Sequence, residues 1–188
     1  QGETRAEQGE GHTIEQPLEI TAAGHSVRLS GRIDRVDMGQ IAGQTVFNVL
    51  DYKTGASARF SPQAVAAGTA LQLPLYAMAI QGLLLADRHA VPWRAGYWYL
   101  KDKGFKPKAA LRMYRRQDEG LAPEPEWEEI RRTAAETVVA LAEHIRRAEF
   151  PVYGADPQCT RHCPYSTVCR INQVRWLEKT WQPTPSTD

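Results

Sequence analysis

Leu50-Asp51-Tyr52-Lys53-Thr54-Gly55 closes a run of apolar and β-branched residues, Val46, Phe47, Val49 and Leu50. Such a run reads as a strand, and side chains two apart on a strand share a face. Asp51 and Lys53 therefore set a carboxylate and an ammonium side by side at the strand's end. Upstream stands Gly31-Arg32-Ile33-Asp34-Arg35. Val27, Leu29 and Ile33 are apolar while Ser26, Arg28, Ser30 and Arg32 are polar, which predicts a strand over 27–37 with Asp34 on its polar phase. Two carboxylates brought together from adjacent strands make a hard oxygen site suited to Mg²⁺ or Mn²⁺. A lysine beside them lowers the pKa of an attacking water or offsets charge on a phosphorane-like transition state, as metal-assisted phosphodiester hydrolysis requires. Taken alone, Asp51 to Gly55 also reads as a strand entering a turn, with Thr54-Gly55 as turn residues and Asp51/Lys53 as a surface pair.

Three segments in order are more specific than any one. Gly-Arg-Ile-Asp-Arg-Val-Asp at 31–37, Asp-Tyr-Lys-Thr-Gly at 51–55 and Leu71-Gln72-Leu73-Pro74-Leu75-Tyr76 together resemble the motifs of the RecB branch of the PD-(D/E)XK nucleases. That branch includes the nuclease domains of RecB, AddA and AddB and the CRISPR adaptation-associated nuclease. The resemblance covers most of Thr13 to Arg170. It implies an α/β, restriction-endonuclease-like core with a mixed central sheet flanked by helices and a cysteine-rich C-terminal extension. It implies that Asp34 and Asp51 are metal ligands for Mg²⁺ or Mn²⁺, that the Tyr52 carbonyl completes the metal shell, and that Lys53 is the catalytic lysine. Gln72 and Tyr76 would form the helix motif beside the cleft. The implied protein is a hydrolase, expected to be an exonuclease on single-stranded DNA or a duplex end, partnered with a helicase subunit or domain in double-strand-break repair. The alternative is a catalytically weak DNA-end-binding or scaffold module of the same fold.

The chain has 188 residues, enough for one substantial domain with a core, and its 42% apolar and 24% charged content suits a soluble globular protein. No apolar run is long enough to span a bilayer, and no basic-then-apolar leader opens the chain, so no membrane partner and a cytoplasmic location are expected. A net charge of +1 neither demands nor excludes nucleic acid. The charge is unevenly spread. Lys101, Lys103, Lys106, Lys108, Arg112, Arg115 and Arg116 form a basic stretch, a solvated hairpin surface or a phosphate-contacting one, and Asp118, Glu119, Glu124, Glu126, Glu128 and Glu129 follow it. The organisation predicted is a flexible arm over 1–12, a nuclease core over 13–150 and a cysteine-containing extension over 151–188.

In order along the chain, alternation over 13–20, interrupted by Pro17, predicts a short edge strand, with Glu15 facing solvent. Gly24-His25 turns into the 27–37 strand, and residues 38–44 form a loop into a central strand over 45–53. Ser61-Pro62 is an N-cap and N1 pair for a helix ending near Gly68. Thr69-Ala70-Leu71-Gln72 has capping-box form and opens a helix to Leu85. There Gln72 reads as a capping glutamine and Tyr76 as a core tyrosine, yet four apart on a helix they share a face. Strands are predicted over 94–101 and 109–115, with Tyr97, Trp98 and Tyr99 as sheet core unless one is exposed to stack on a base. Trp127, Ile130, Ala134, Val138, Leu141 and Ile145 recur at steps of three and four, predicting a helix over 125–148 across a sheet of five strands.

All three cysteines are late: Cys159, Cys163 and Cys169, in what reads as a helix-poor loop. In a cytosolic protein this clustering points to metal over disulfides, with zinc and His162 as one alternative and a zinc-stabilised interaction domain as the corresponding function. The resemblance implies instead that they are three ligands of a 4Fe-4S cluster whose fourth cysteine lies upstream of the nuclease motifs. No upstream cysteine and no preceding active-site helix are found here, so the chain reads as a fragment, with the cluster incomplete and cleavage by the isolated chain weak.

Overall fold

The computed structural model describes residues 13–54, 60–101, 104–105, 110–118, 120–150 and 158–176. Two hairpins open the fold. β1 (Leu18–Ala22) pairs antiparallel with β2 (His25–Leu29) around Ala23-Gly24, and β3 (Arg35–Ile41) with β4 (Gln44–Lys53) around Ala42-Gly43. The φ values of 48° and 76° in the first turn and 51° and 77° in the second are those of two-residue turns whose twist matches the strands they join. The connection from β4 then crosses over through α1 (Pro62–Ala66), α2 (Gln72–Ala79), a π-helical turn at Ile80–Leu84 and a 3₁₀ turn at Ala86–Arg88. Such a crossover is what a parallel pair needs, and β5 (Val91–Tyr99) lies parallel to β4. β6 (Gly104–Phe105) and β7 (Leu111–Arg112) both pair antiparallel with β5. The result is a mixed five-stranded sheet with β4 between β3 and β5. A ribbon of β8 (Tyr114–Gln117) and β9 (Gly120–Pro123) leads into α3 (Pro125–Arg146), and α4 (Cys159–His162) and α5 (Ile171–Trp176) follow. The α/β architecture, the central β4 and the flanking helices match the expectation.

Several boundaries differ, each for a physical reason. The 27–37 strand is two strands, because β2 belongs with β1 and β3 with β4, so the chain changes sheets between Leu29 and Arg35. Asp34 consequently precedes β3 and does not close a strand begun at Val27. The 38–44 loop shrinks to Ala42-Gly43, with Gly39 inside β3 opposite Val46. The edge strand starts only after Pro17, and Glu15 is exposed before it. The 109–115 strand breaks at buried Met113, whose amide donates to Trp93 O at 3.1 Å and whose carbonyl accepts from Glu124 N at 2.9 Å.

The helix starts split in the same way. Ser61 Oγ accepts from Ala64 N at 3.1 Å, the predicted cap of α1. The capping box of α2 does not form: Thr69 Oγ1 donates to Ala64 O, and Leu71 stands at the N-cap without a side-chain bond. α3 packs on α1, α2 and the β1–β2 hairpin. Its Trp127, Ile130 and Ala134 join Phe47, Val49, Leu73 and Ala77 in one core cluster. The stripe then drifts from the predicted residues: Thr137 and Val139 are buried and Ile145 is 62% exposed. The last turns reach past the core to the hairpin, where Arg146 Nη2 donates to Ser26 O at 3.1 Å. Among the described residues no helix is long and apolar enough to cross a membrane.

Candidate active site

Alternation along β4 points Phe47, Val49, Asp51 and Lys53 toward α2, since Phe47 and Val49 share a core cluster with Leu73 and Ala77. Asp51 is thus the polar end of an apolar row, and only 3% of it is exposed. A carboxylate so buried needs partners, and α2 brings them. Gln72, at the first position of α2, donates Nε2 to Asp51 Oδ1 at 2.7 Å and to the Tyr76 hydroxyl at 3.0 Å. Its Oε1 accepts from Lys53 Nζ at 3.0 Å. Lys53 Nζ closes the ring at 2.6 Å from Asp51 Oδ2, which accepts no other hydrogen bond among the described residues. Burial by itself would lower the Lys53 pKa; the hydrogen bond and charge of Asp51, with the neighbouring tyrosines, outweigh it and raise the net value above the ordinary one. Lys53 is therefore an ammonium at neutral pH.

Asp34 approaches from the other side of β4. The paired register stops at Arg35↔Leu50, one residue short of it, and its Oδ2 accepts from Tyr52 N at 2.9 Å, capping the ladder where the pairing of β3 with β4 ends. Asp34, Asp51, Tyr52, Lys53, Gln72 and Tyr76 are thereby gathered at one end of β4. Each carboxylate oxygen has more than one acceptor position, so these bonds leave capacity on both acids.

Two residues beyond the predicted set complete the surroundings. Tyr97 pairs with Asp51 across the parallel ladder, and its ring centroid lies 5.2 Å from Lys53 Nζ. Burial pushes the Tyr97 phenol up, with nearby Lys53 opposing it. On the opposite face, Arg35 bonds Asp37 at 2.7 and 3.1 Å, donates to the Tyr52 hydroxyl at 3.5 Å and lies over the Trp98 ring at 5.4 Å. These contacts, Asp37 first, raise the already high guanidinium pKa further. The register of β4 against β5 decides both placements, and one-dimensional alternation does not contain it. Trp98 packs edge-on to Tyr52 and against Gly104, so it is neither simple core nor an open platform.

Two members of the basic stretch meet an acidic partner. Arg112 and Arg115 are each 3.1 Å from Glu124, a member of the acidic stretch, and their charge is partly spent there. Lys103, Lys106 and Lys108 lie outside the described residues, as does the arm over 1–12.

Mg²⁺ is commonly held by one or two carboxylates with water and phosphate filling the remaining positions. Asp34 and Asp51, with the neighbouring Tyr52 main chain bonded to Asp34, are of the chemistry that donor set asks for, and Asp51 Oδ2 is a buried oxygen partnered only by Lys53. The cysteines differ: they lie on and between α4 and α5, where a helix-poor loop is expected, and none forms a disulfide. Among the described residues no three His, Cys, Asp or Glu side chains gather into a group able to hold a metal.

The family model described as the PD-(D/E)XK nuclease superfamily matches residues 2–170. The chain is similar to proteins named as one of the subunits of an ATP-dependent helicase/deoxyribonuclease: 34% identical over 91 residues to that of Lactiplantibacillus plantarum, covering 46% of this chain and 8% of the relative. To that of Carboxydothermus hydrogenoformans it is 32% identical over 123 residues, covering 65% and 10%. To that of Moorella thermoacetica it is 42% identical over 64 residues, covering 34% and 6%. The chain thus spans a tenth or less of the length of these relatives.

Proposed function

The chain belongs to the PD-(D/E)XK nuclease superfamily, and from that premise we propose that it is the nuclease domain of a helicase-nuclease, hydrolysing DNA phosphodiesters with a divalent cation. The observation that carries this reading is the closed ring of Asp51, Lys53 and Gln72, backed by Tyr76 and faced by Asp34. Asp34, Asp51 and the Tyr52 carbonyl would hold Mg²⁺ or Mn²⁺, which when bound would supply polarisation of the scissile phosphate and a water of lowered pKa. Lys53, pinned from two sides, orients that water and offsets the charge that develops as it attacks. Gln72 holds Asp51 and Lys53 at fixed distance, and Tyr76 fixes the amide of Gln72, so the donors need no rearrangement when the phosphate arrives.

The relatives' names support DNA as substrate and a helicase as partner. The finer reading is an exonuclease at a single strand or duplex end, serving double-strand-break repair in the cytoplasm, with the core over 13–150 and the extension over 151–188. Cys159, Cys163 and Cys169 are three of the four thiolates of a 4Fe-4S cluster only if a rearranged segment and a further ligand complete it, and no step of the reaction is assigned to it. The test is cleavage of end-labelled single- and double-stranded DNA in Mg²⁺, Mn²⁺ or EDTA. Cation-dependent shortening of the label is expected; identical products in EDTA would overturn the proposal.

A further inference from the structure

We propose that Tyr97 is the positioning residue that holds the Lys53 ammonium in place through the face of its ring. The inference rests on the nuclease reading and adds a component to the same site. A lysine ends in a compact charge on a flexible four-carbon stem, so its direction has to be imposed from outside. Asp51 Oδ2 and Gln72 Oε1 impose it from two directions, at 2.6 and 3.0 Å. Tyr97 supplies the third, with its ring centroid 5.2 Å from Nζ, inside the range of cation–π attraction.

The three partners differ in kind. Asp51 Oδ2 is also an oxygen that a divalent cation would take, and a cation at Asp51 would draw on the carboxylate charge and repel the ammonium. A ring face is no ligand for a hard cation. It is the partner that keeps its hold on Lys53 when Asp51 is shared. The fold fixes this ring closely: Asp51↔Tyr97 register sets its height, and the ring of buried Tyr99 meets its edge at 6.3 Å and 62°. Sheet core alone asks only for apolar bulk at this position; the contact with Nζ asks for a π face.

Tyr97→Phe keeps that face and removes the hydroxyl, while Tyr97→Leu keeps apolar bulk and removes the face. Under Mg²⁺ with labelled DNA, Tyr97→Leu is expected to lower kcat about five-fold, the scale of one partly exposed cation–π contact, with KM little changed. Tyr97→Phe should restore most of the rate. A second readout needs no activity: the Lys53 ε-methylene signal in ¹H–¹³C spectra should lie upfield of the other lysines in wild type and Tyr97→Phe, and lose that ring-current shift in Tyr97→Leu. Should Tyr97→Leu fail to fold, Tyr97→Met is scored in its place. An unchanged kcat in the folded Leu or Met variant, a Phe variant as impaired as the Leu variant, or a Lys53 signal indifferent to the ring would each overturn the proposal. A wild type that cleaves no DNA would fail the nuclease reading instead, with the Lys53 signal still deciding the contact.

Discussion

At the scale of single residues, the balance at Lys53 is between two opposed effects of the same location. Removal from water disfavours the ammonium, and the carboxylate beside it favours the ammonium; the carboxylate prevails and the folded-state pKa stands above its unfolded value. A raised pKa means that the folded state binds the proton more tightly, so the pair stabilises the fold at every pH below the unfolded value and loses that contribution as pH climbs through the folded one. Melting curves of wild type and Lys53→Met should therefore be separated by a constant gap from neutral pH to about pH 10, with the gap closing above it. A gap that closes between pH 6 and 8 would show that Lys53 does not carry the charge. Because a third of the Lys53 side chain is exposed, solvent screening keeps this gap modest.

At the scale of elements, α3 shows what patterning captures. Its start, end and first buried residues follow from apolar steps of three and four, but the step after Ala134 lands on Thr137, which a search for apolar residues passes over. Thr137 is fully buried and its hydroxyl has no hydrogen-bond partner among the described residues. Replacing an unsatisfied hydroxyl by a methyl of like shape removes a desolvation cost, so Thr137→Val should raise stability by about 1 kcal/mol, read as a higher denaturant midpoint with unchanged slope. A lowered midpoint would mean that the hydroxyl is satisfied. The same limit explains the other departures. Capping-box spacing at Thr69 to Gln72 is a local signal, and it lost to a tertiary one, the demand of buried Asp51 for the Gln72 amide. The alternation at Val27, Arg28 and Leu29 is seen in β2, but a period of two does not say which sheet a segment joins, and β3 after Ser30-Gly31 does not keep it. Pairing register lies beyond local pattern, and Tyr97, visible only as an apolar position on a strand, owes its place beside Lys53 to it.

At the scale of the whole molecule, the fold turns three distant segments into one surface. The β3–β4 hairpin brings Asp34 to the Tyr52 amide, the crossover returns α2 over the end of β4, and β5 is laid beside it by the same crossover. The motifs were legible because order and spacing along the chain survive without coordinates, whereas the partial neutralisation of the basic stretch by Glu124 depends on the β8–β9 ribbon folding back. Hydrolysis as proposed requires Asp34, Asp51 and Lys53 to act as one centre. Single-turnover cleavage of labelled DNA in Mg²⁺ by Asp34→Asn, Asp51→Asn and Lys53→Ala, each shown folded by circular dichroism, measures that directly. All three variants should fall to the level of wild type in EDTA, and a folded variant that cuts at the wild-type rate would contradict the account.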